Sequence, residues 1–140
     1  MKEDKDNNIW IGTESGLNKI DTKTNKIYKY TNEDNPNIKW DKIDSLMCDD
    51  DNNIWISTYE NGLIRLNINT NKTTSFKFDK NNPNSIPSNT TRGILQDTEG
   101  SVWIATEKGL SKYEGSNKFI TGYYNSAIRP LSIITVPHPS

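Results

Sequence analysis

The sequence predicts an all-β protein: about three four-stranded antiparallel β-propeller blades, an incomplete propeller. Three observations predict it. A segment built on Ile/Val-Trp-Ile and Gly-Leu occurs three times, and its tryptophans, Trp10, Trp55 and Trp103, lie 45 and 48 positions apart. Each copy divides into short β-rich runs separated by polar turns, which is the arithmetic of one four-stranded blade. No segment carries a helical hydrophobic period.

The elements follow in chain order within each copy. Ile43–Cys48 and Thr91–Gln96 read as first strands. A polar turn follows, Asp49 to Asn53 in one copy and Asp97 to Gly100 in the next. Both are rich in residues that make Asx-turns or accept positive φ. Second strands are Ile9–Thr13, Ile54–Thr58 and Val102–Thr106, where Trp alternates with small or polar neighbours. Trp10, Trp55 and Trp103 are therefore expected as core rings packed between sheets. A tight turn ends at Gly16, Gly62 or Gly109, and third strands run Leu17–Ile20, Leu63–Leu66 and Leu110–Tyr113. Fourth strands hold aromatics at alternating positions, Tyr28 and Tyr30, then Phe76 and Phe78, with Phe119 less regular. Asp4, Asp49 and Asp97 precede the Trp by six positions, and Met1, Leu46 and Ile94 precede it by nine. The units are residues 1–42, a blade lacking most of its first strand plus a linking loop; 43–90, a second blade and loop; and 91–125, a third blade. Residues 126–140 form a divergent tail with a possible strand at 131–136.

Composition excludes several functions. Only 31% of the 140 residues are hydrophobic, but four Trp and six Tyr supply large rings to bury. Those rings argue against disorder. The net charge is −1 with both signs interspersed, and no basic stripe supports nucleic-acid binding. No apolar run approaches the roughly 18 residues that a membrane helix needs. No apolar region after Met1 suggests a signal peptide. A single cysteine, Cys48, rules out an intrachain disulfide and a cysteine zinc cage.

The pattern of Asp, polar turn, Trp10-Ile11-Gly12-Thr13 and Gly16-Leu17 resembles the two-component-regulator propeller repeat. Trp55-Ile56-Ser57-Thr58 and Trp103-Ile104-Ala105-Thr106 match with a small residue in place of Gly12. The resemblance implies a ligand-sensing propeller from the extracytoplasmic region of a bacterial signalling protein, hybrid histidine kinases among them, often one perceiving carbohydrate. A closed ring takes four to eight blades. The chain is therefore expected to be a piece of such a propeller, partnered by further blades or by a second copy.

Chemistry is sparsely signalled. Asp4/Asp6/Asn8 and Asp49/Asp51/Asn53 resemble half of a calcium loop, but Ile9 and Ile54 stand where an EF-hand needs glycine. A solvated turn is expected there, and no metal or cofactor. The sole histidine, His138, lies between prolines near the end. No Gly-x-Ser-x-Gly elbow exists, so the protein is expected not to be an enzyme. Glu14, Glu60 and Glu107 sit two residues before the turn glycines, where turn chemistry explains them better than glycoside cleavage. Propeller ligands usually meet inter-blade loops and the turns after second strands. Trp40, Tyr59, Glu14, Glu60, Glu107 and Arg92 are therefore the expected contacts for a small molecule or glycan. A protein-interaction scaffold that pairs through open edges, or remotely a polysaccharide-active enzyme, are the alternatives.

Overall fold

Alternation at period two gives every strand two faces, and the second blade buries both because it stacks between the first and the third. The structure is a computed structural model that describes residues 1–30, 38–40 and 42–122. The loop residues 31–37 and 41, and the tail with its expected strand at 131–136 and His138, lie outside the described residues. Among the described residues there are three antiparallel four-stranded sheets. The first holds β1 (Lys2–Glu3), β2 (Ile9–Thr13), β3 (Gly16–Asp21) and β4 (Lys26–Tyr30); the second β5 (Ile43–Cys48), β6 (Asn53–Thr58), β7 (Leu63–Asn67) and β8 (Thr73–Phe76). The third holds β9 (Thr91–Gln96), β10 (Val102–Thr106), β11 (Gly109–Tyr113) and β12 (Phe119–Thr121). In each sheet the strands lie side by side in chain order, so every blade is a meander. The truncated first strand of the first blade is the two-residue β1, which pairs Lys2 with Trp10.

Two hydrophobic cores lie between the blades. Trp10 and Leu17 of the first blade meet Leu46, Ile54, Ile56, Ile64 and Leu66 of the second. Trp55, Leu63 and Phe76 of the second meet Val102, Ile104 and Phe119 of the third. The register explains this division. Ile54 and Ile56 point one way from β6 and Trp55 the other, so one strand feeds both cores. Rings close the second core. Trp55 stacks on Phe76 with centroids 5.9 Å apart, and Tyr113 meets Trp55 edge-on at 5.1 Å. Phe78, expected beside Phe76 on the fourth strand, lies past the end of β8 and is exposed.

Gly12, the small residue after the first Trp-Ile, has a packing cause. A Cβ added at Gly12 would lie 2.3 Å from Cγ2 of Ile43, so β5 packs directly on the first blade's backbone there. Each link is also plugged by a loop residue. Ile38 enters the first core and Ile86 the second, both buried. They lie 48 positions apart, the same spacing as Trp55 and Trp103.

Candidate functional site

Three side chains within each repeat prepare the rim where β2 turns into β3, β6 into β7 and β10 into β11. At the far end of the blade, the aspartate six residues before the Trp acts as a peg. Asp49 Oδ1 accepts from the backbone N–H groups of Asp51 and Asn53, each at 2.9 Å, and Oδ2 accepts from Trp55 Nε1 at 2.7 Å. Asp4 repeats this set with Asp6, Asn8 and Trp10, and Asp97 with Glu99, Ser101 and Trp103. Asp4 and Asp49 are buried. The turns expected to be solvated are therefore anchored at their first residue, because a carboxylate that accepts several N–H bonds is held in the turn rather than in water. Among the described residues no group of three or more His, Cys, Asp or Glu side chains is placed to hold a metal ion.

At the rim itself a threonine clasps each turn. Thr13, Thr58 and Thr106 donate through Oγ1 to the carbonyls of Gly16, Gly62 and Gly109 at 3.2, 2.7 and 2.9 Å. Gly62 has φ of +77°, and an added Cβ would stand 2.3 Å from the Phe76 carbonyl oxygen. A residue without Cβ is what this turn requires.

Hydrogen bonds then run from blade to blade around this rim. Lys42 N–H donates to the Glu14 carbonyl and Tyr59 N–H to the Lys42 carbonyl, both at 2.9 Å. Thr90 Oγ1 donates to the Tyr59 carbonyl, and Glu107 N–H donates to the Thr90 carbonyl at 3.1 Å. One relay therefore ties Glu14, Lys42, Tyr59, Thr90 and Glu107 across all three blades. Thr91 locks the second junction: its Oγ1 accepts from Thr58 N–H at 3.0 Å and donates to the Gly62 carbonyl at 3.1 Å.

Side chains on this relay form a row of alternating charge. Lys42 Nζ pairs with Glu60 at 2.6 Å, and Arg92 with Glu107 at 2.8 Å. The hydrogen bond to Glu107 is the first cause that raises the Arg92 pKa above its already high value, so the guanidinium stays charged. Its carbon also lies 5.9 Å from the centre of the Tyr59 ring, which is half-exposed, a cation–π contact. Glu14, Lys42, Ile43, Asp44 and Tyr59 line an open cleft of about 330 Å³ between the first and second blades. Both ion pairs are exposed and add little stability, which leaves their charged groups available to a ligand.

Five of the six expected contact residues thus lie along one rim: Glu14, Tyr59, Glu60, Arg92 and Glu107. Trp40 does not. It is 2% exposed, packed in the first core 5.6 Å from Tyr30, and is a buried loop ring rather than an exposed one. The relay also shifts one equivalence. Tyr59 N–H bonds the preceding loop as Glu107 N–H does, so Tyr59 and not Glu60 matches Glu107 when counted from the strand. The extra residue of the second copy falls between Tyr59 and Gly62. Lys42 and Asp44 are the charged cleft residues absent from the expected contacts. Their repeat positions match Thr90 and Arg92, and Arg92 is among the expected contacts, so the alignment held the signal.

The profile of the family described as two component regulator propeller matches residues 1–15, 37–60 and 85–108. No curated protein matches the chain. Among solved structures, the extracellular domain of a putative hybrid two component system of B. thetaiotaomicron is similar, with TM-score 0.77 and 24% identity over 90% of this chain. The extracellular domain of a putative one component system of the same organism gives TM-score 0.66 and 21% identity over 87%. The chain spans 18% of the length of each of these two structures. Each of its three blades carries a match to the two component regulator propeller repeat.

Proposed function

We propose that this chain is part of the extracytoplasmic, ligand-sensing propeller of a two-component-type signalling protein. On this reading it binds a small polar molecule or glycan along the relay rim without turning it over. One observation carries the reading: the exposed Glu14, Lys42, Asp44, Tyr59, Glu60, Arg92 and Glu107 share one rim held by hydrogen bonds that pass from blade to blade. Such a rim suits recognition. Paired carboxylates and cations present acceptors and donors side by side, and Tyr59 offers an exposed ring face to an apolar surface such as that of a sugar. The relay also makes occupancy at one junction felt at the next, because Lys42 and Thr90 are each bonded to the blades on both sides.

Titration of the chain against an oligosaccharide and small-anion library, with mass analysis of recovered ligand, tests this. Binding with intact ligand is expected. Tyr59→Ala and Arg92→Ala are each expected to weaken it at least tenfold while the unfolding midpoint moves little, since both side chains are exposed. Binding that both variants retain would place the site elsewhere, and cleaved ligand would make the protein an enzyme.

A further inference from the structure

The two junctions of the relay rim are built to one plan and filled differently. At the second junction the chain supplies its own cation. Arg92, near the start of β9, pairs with Glu107 of its own blade at 2.8 Å and lies 5.9 Å from the centre of the Tyr59 ring of the preceding blade. β5 and β9 enter their sheets in the same register, Ile43 opposite Thr58 and Thr91 opposite Thr106. Counted from these pairs, the first junction has Asp44 in the place of Arg92, Tyr59 in the place of Glu107 and Glu14 in the place of Tyr59. A carboxylate therefore stands where the next repeat has its guanidinium, and a second carboxylate stands where the next repeat has the ring beside it.

The space follows the charges. Glu14 and Asp44, both exposed, line the open cleft of about 330 Å³ between the first and second blades, with Tyr59 beside them. Lys42 Nζ, on the same cleft, is turned to Glu60 at 2.6 Å. Among the described residues neither Glu14 nor Asp44 forms an ion pair, and residues 31–37 and 41 contain no Lys or Arg. Asp44 acts on Arg92 only at a distance: Glu107 comes first among the groups that raise the Arg92 pKa, and Asp44 last. Two carboxylates accept the N–H bonds of a positive group, an aromatic ring attracts it, and a cleft walled by protein focuses their field. An anion in the same place would meet two like charges. We infer that the first junction takes the cationic group of a ligand, an ammonium or a guanidinium, between Glu14 and Asp44 and beside Tyr59, an inference that rests on the rim being the ligand site proposed above. The ligand thus supplies at the first junction the cation that Arg92 supplies from within the chain at the second.

Pairs of probes close in shape, one member cationic and one neutral, test this: glucosamine against glucose, and N-acetylarginine amide against N-acetylcitrulline amide. Titrated into the intact chain at low salt, the cationic member of a pair is expected to bind at least tenfold more tightly, and the ratio should shrink as added salt screens the carboxylates. A preference in either pair supports the inference, and the pair that shows it names the source, amino sugar or guanidinium. Glu14→Gln and Asp44→Asn should each cut the ratio at least threefold. Asp44→Arg, which installs in the first junction the cation of the second, should remove it. Both residues are exposed, so the unfolding midpoints of these variants should stay near that of the parent chain. Equal affinity within both pairs, with binding still lost in Tyr59→Ala and Arg92→Ala, would overturn the cation assignment and leave the rim as the ligand site. A preference that survives Glu14→Gln and Asp44→Asn together would place the cation elsewhere and overturn it as well. Failure of every probe to bind at millimolar concentration also overturns it, and the wider library titration then decides the fate of the rim separately.

Discussion

Trp55 and Trp103 stand at the same place in their repeats and hold the same partner, yet they differ in what covers them. Trp55 Nε1 donates to Asp49 at 2.7 Å and Trp103 Nε1 to Asp97 at 2.9 Å. Trp55 is 1% exposed under Phe76 and Tyr113, whereas Trp103 is half-buried with Lys112 over its ring at 5.7 Å. The peg is local: it is completed within six residues and forms whether or not a neighbour is present. Burial is not local, because it needs the facing side of the next blade. A blade of this protein therefore specifies its own shape and only half of its own core.

Truncation of the two rings separates the layers most strongly. Trp55→Ala removes a ring surrounded on all sides and should cost about 3–5 kcal/mol. Trp103→Ala should cost less, about 1–2 kcal/mol, because that ring is only half-buried. Urea unfolding monitored by circular dichroism gives both numbers. Equal losses would mean that the peg and not the neighbour dominates.

A smaller contrast concerns two glycines at positive φ. Gly62 has φ of +77° and Gly115 of +80°, so alanine is strained at both. At Gly62 the new methyl would also run into the backbone carbonyl of Phe76, whereas at Gly115 it meets nothing within 4 Å. Gly115→Ala should therefore cost about 1 kcal/mol, and Gly62→Ala at least twice that. Because Gly62 also receives the Thr58 and Thr91 hydroxyls, its substitution should in addition loosen the second rim junction. Hydrogen exchange at Thr58 N–H, which bonds to Thr91, reads this directly.

Much of this architecture was legible because it repeats. The spacing of Trp10, Trp55 and Trp103, the aspartate six residues before each, and the closing glycines place ten of the twelve strands closely; β1 is the short remnant expected, and Phe78 shows where β8 stops early. What a repeat does not display is what lies between its copies. Trp40 has no aromatic counterpart, so it reads as an exposed loop ring, although the space between two blades buries it. Ile38 and Ile86 carry the correct spacing but sit in Asn- and Pro-rich loops, where an isolated isoleucine has no period to reveal its direction. Lys42 went unread for a related reason: it joins the rim through backbone bonds to Glu14 and Tyr59, and a backbone bond leaves no trace in residue type. Glu14, Tyr59, Glu60 and Glu107 fall together because they occupy equivalent turns, and turns are set locally; Arg92 joins them from the start of β9.

The smallest expected effect tests the peg on the third blade. Asp97 has its pKa lowered, first by the hydrogen bond from Trp103 Nε1, next by the Ser101 N–H, with further help from Glu99 N–H and Lys112 against a desolvation that acts the other way. Each of those bonds favours the charged carboxylate. A carboxyl that is more acidic folded than unfolded contributes stability that is complete above the ordinary carboxylate pKa. That contribution fades as pH falls and is gone below the folded value, because in this window the unfolded chain binds the extra proton. The urea midpoint should therefore decline with acidification, and Asp97→Asn, which keeps an acceptor oxygen but cannot titrate, should flatten part of that decline. The indole N–H resonance of Trp103 supplies the residue-specific measurement. It should shift with a midpoint below the usual carboxylate range, since protonating Asp97 weakens the acceptor on which that N–H depends. A midpoint at or above the usual range would show that the Trp103 Nε1–Asp97 bond does not hold the carboxylate in its charged form.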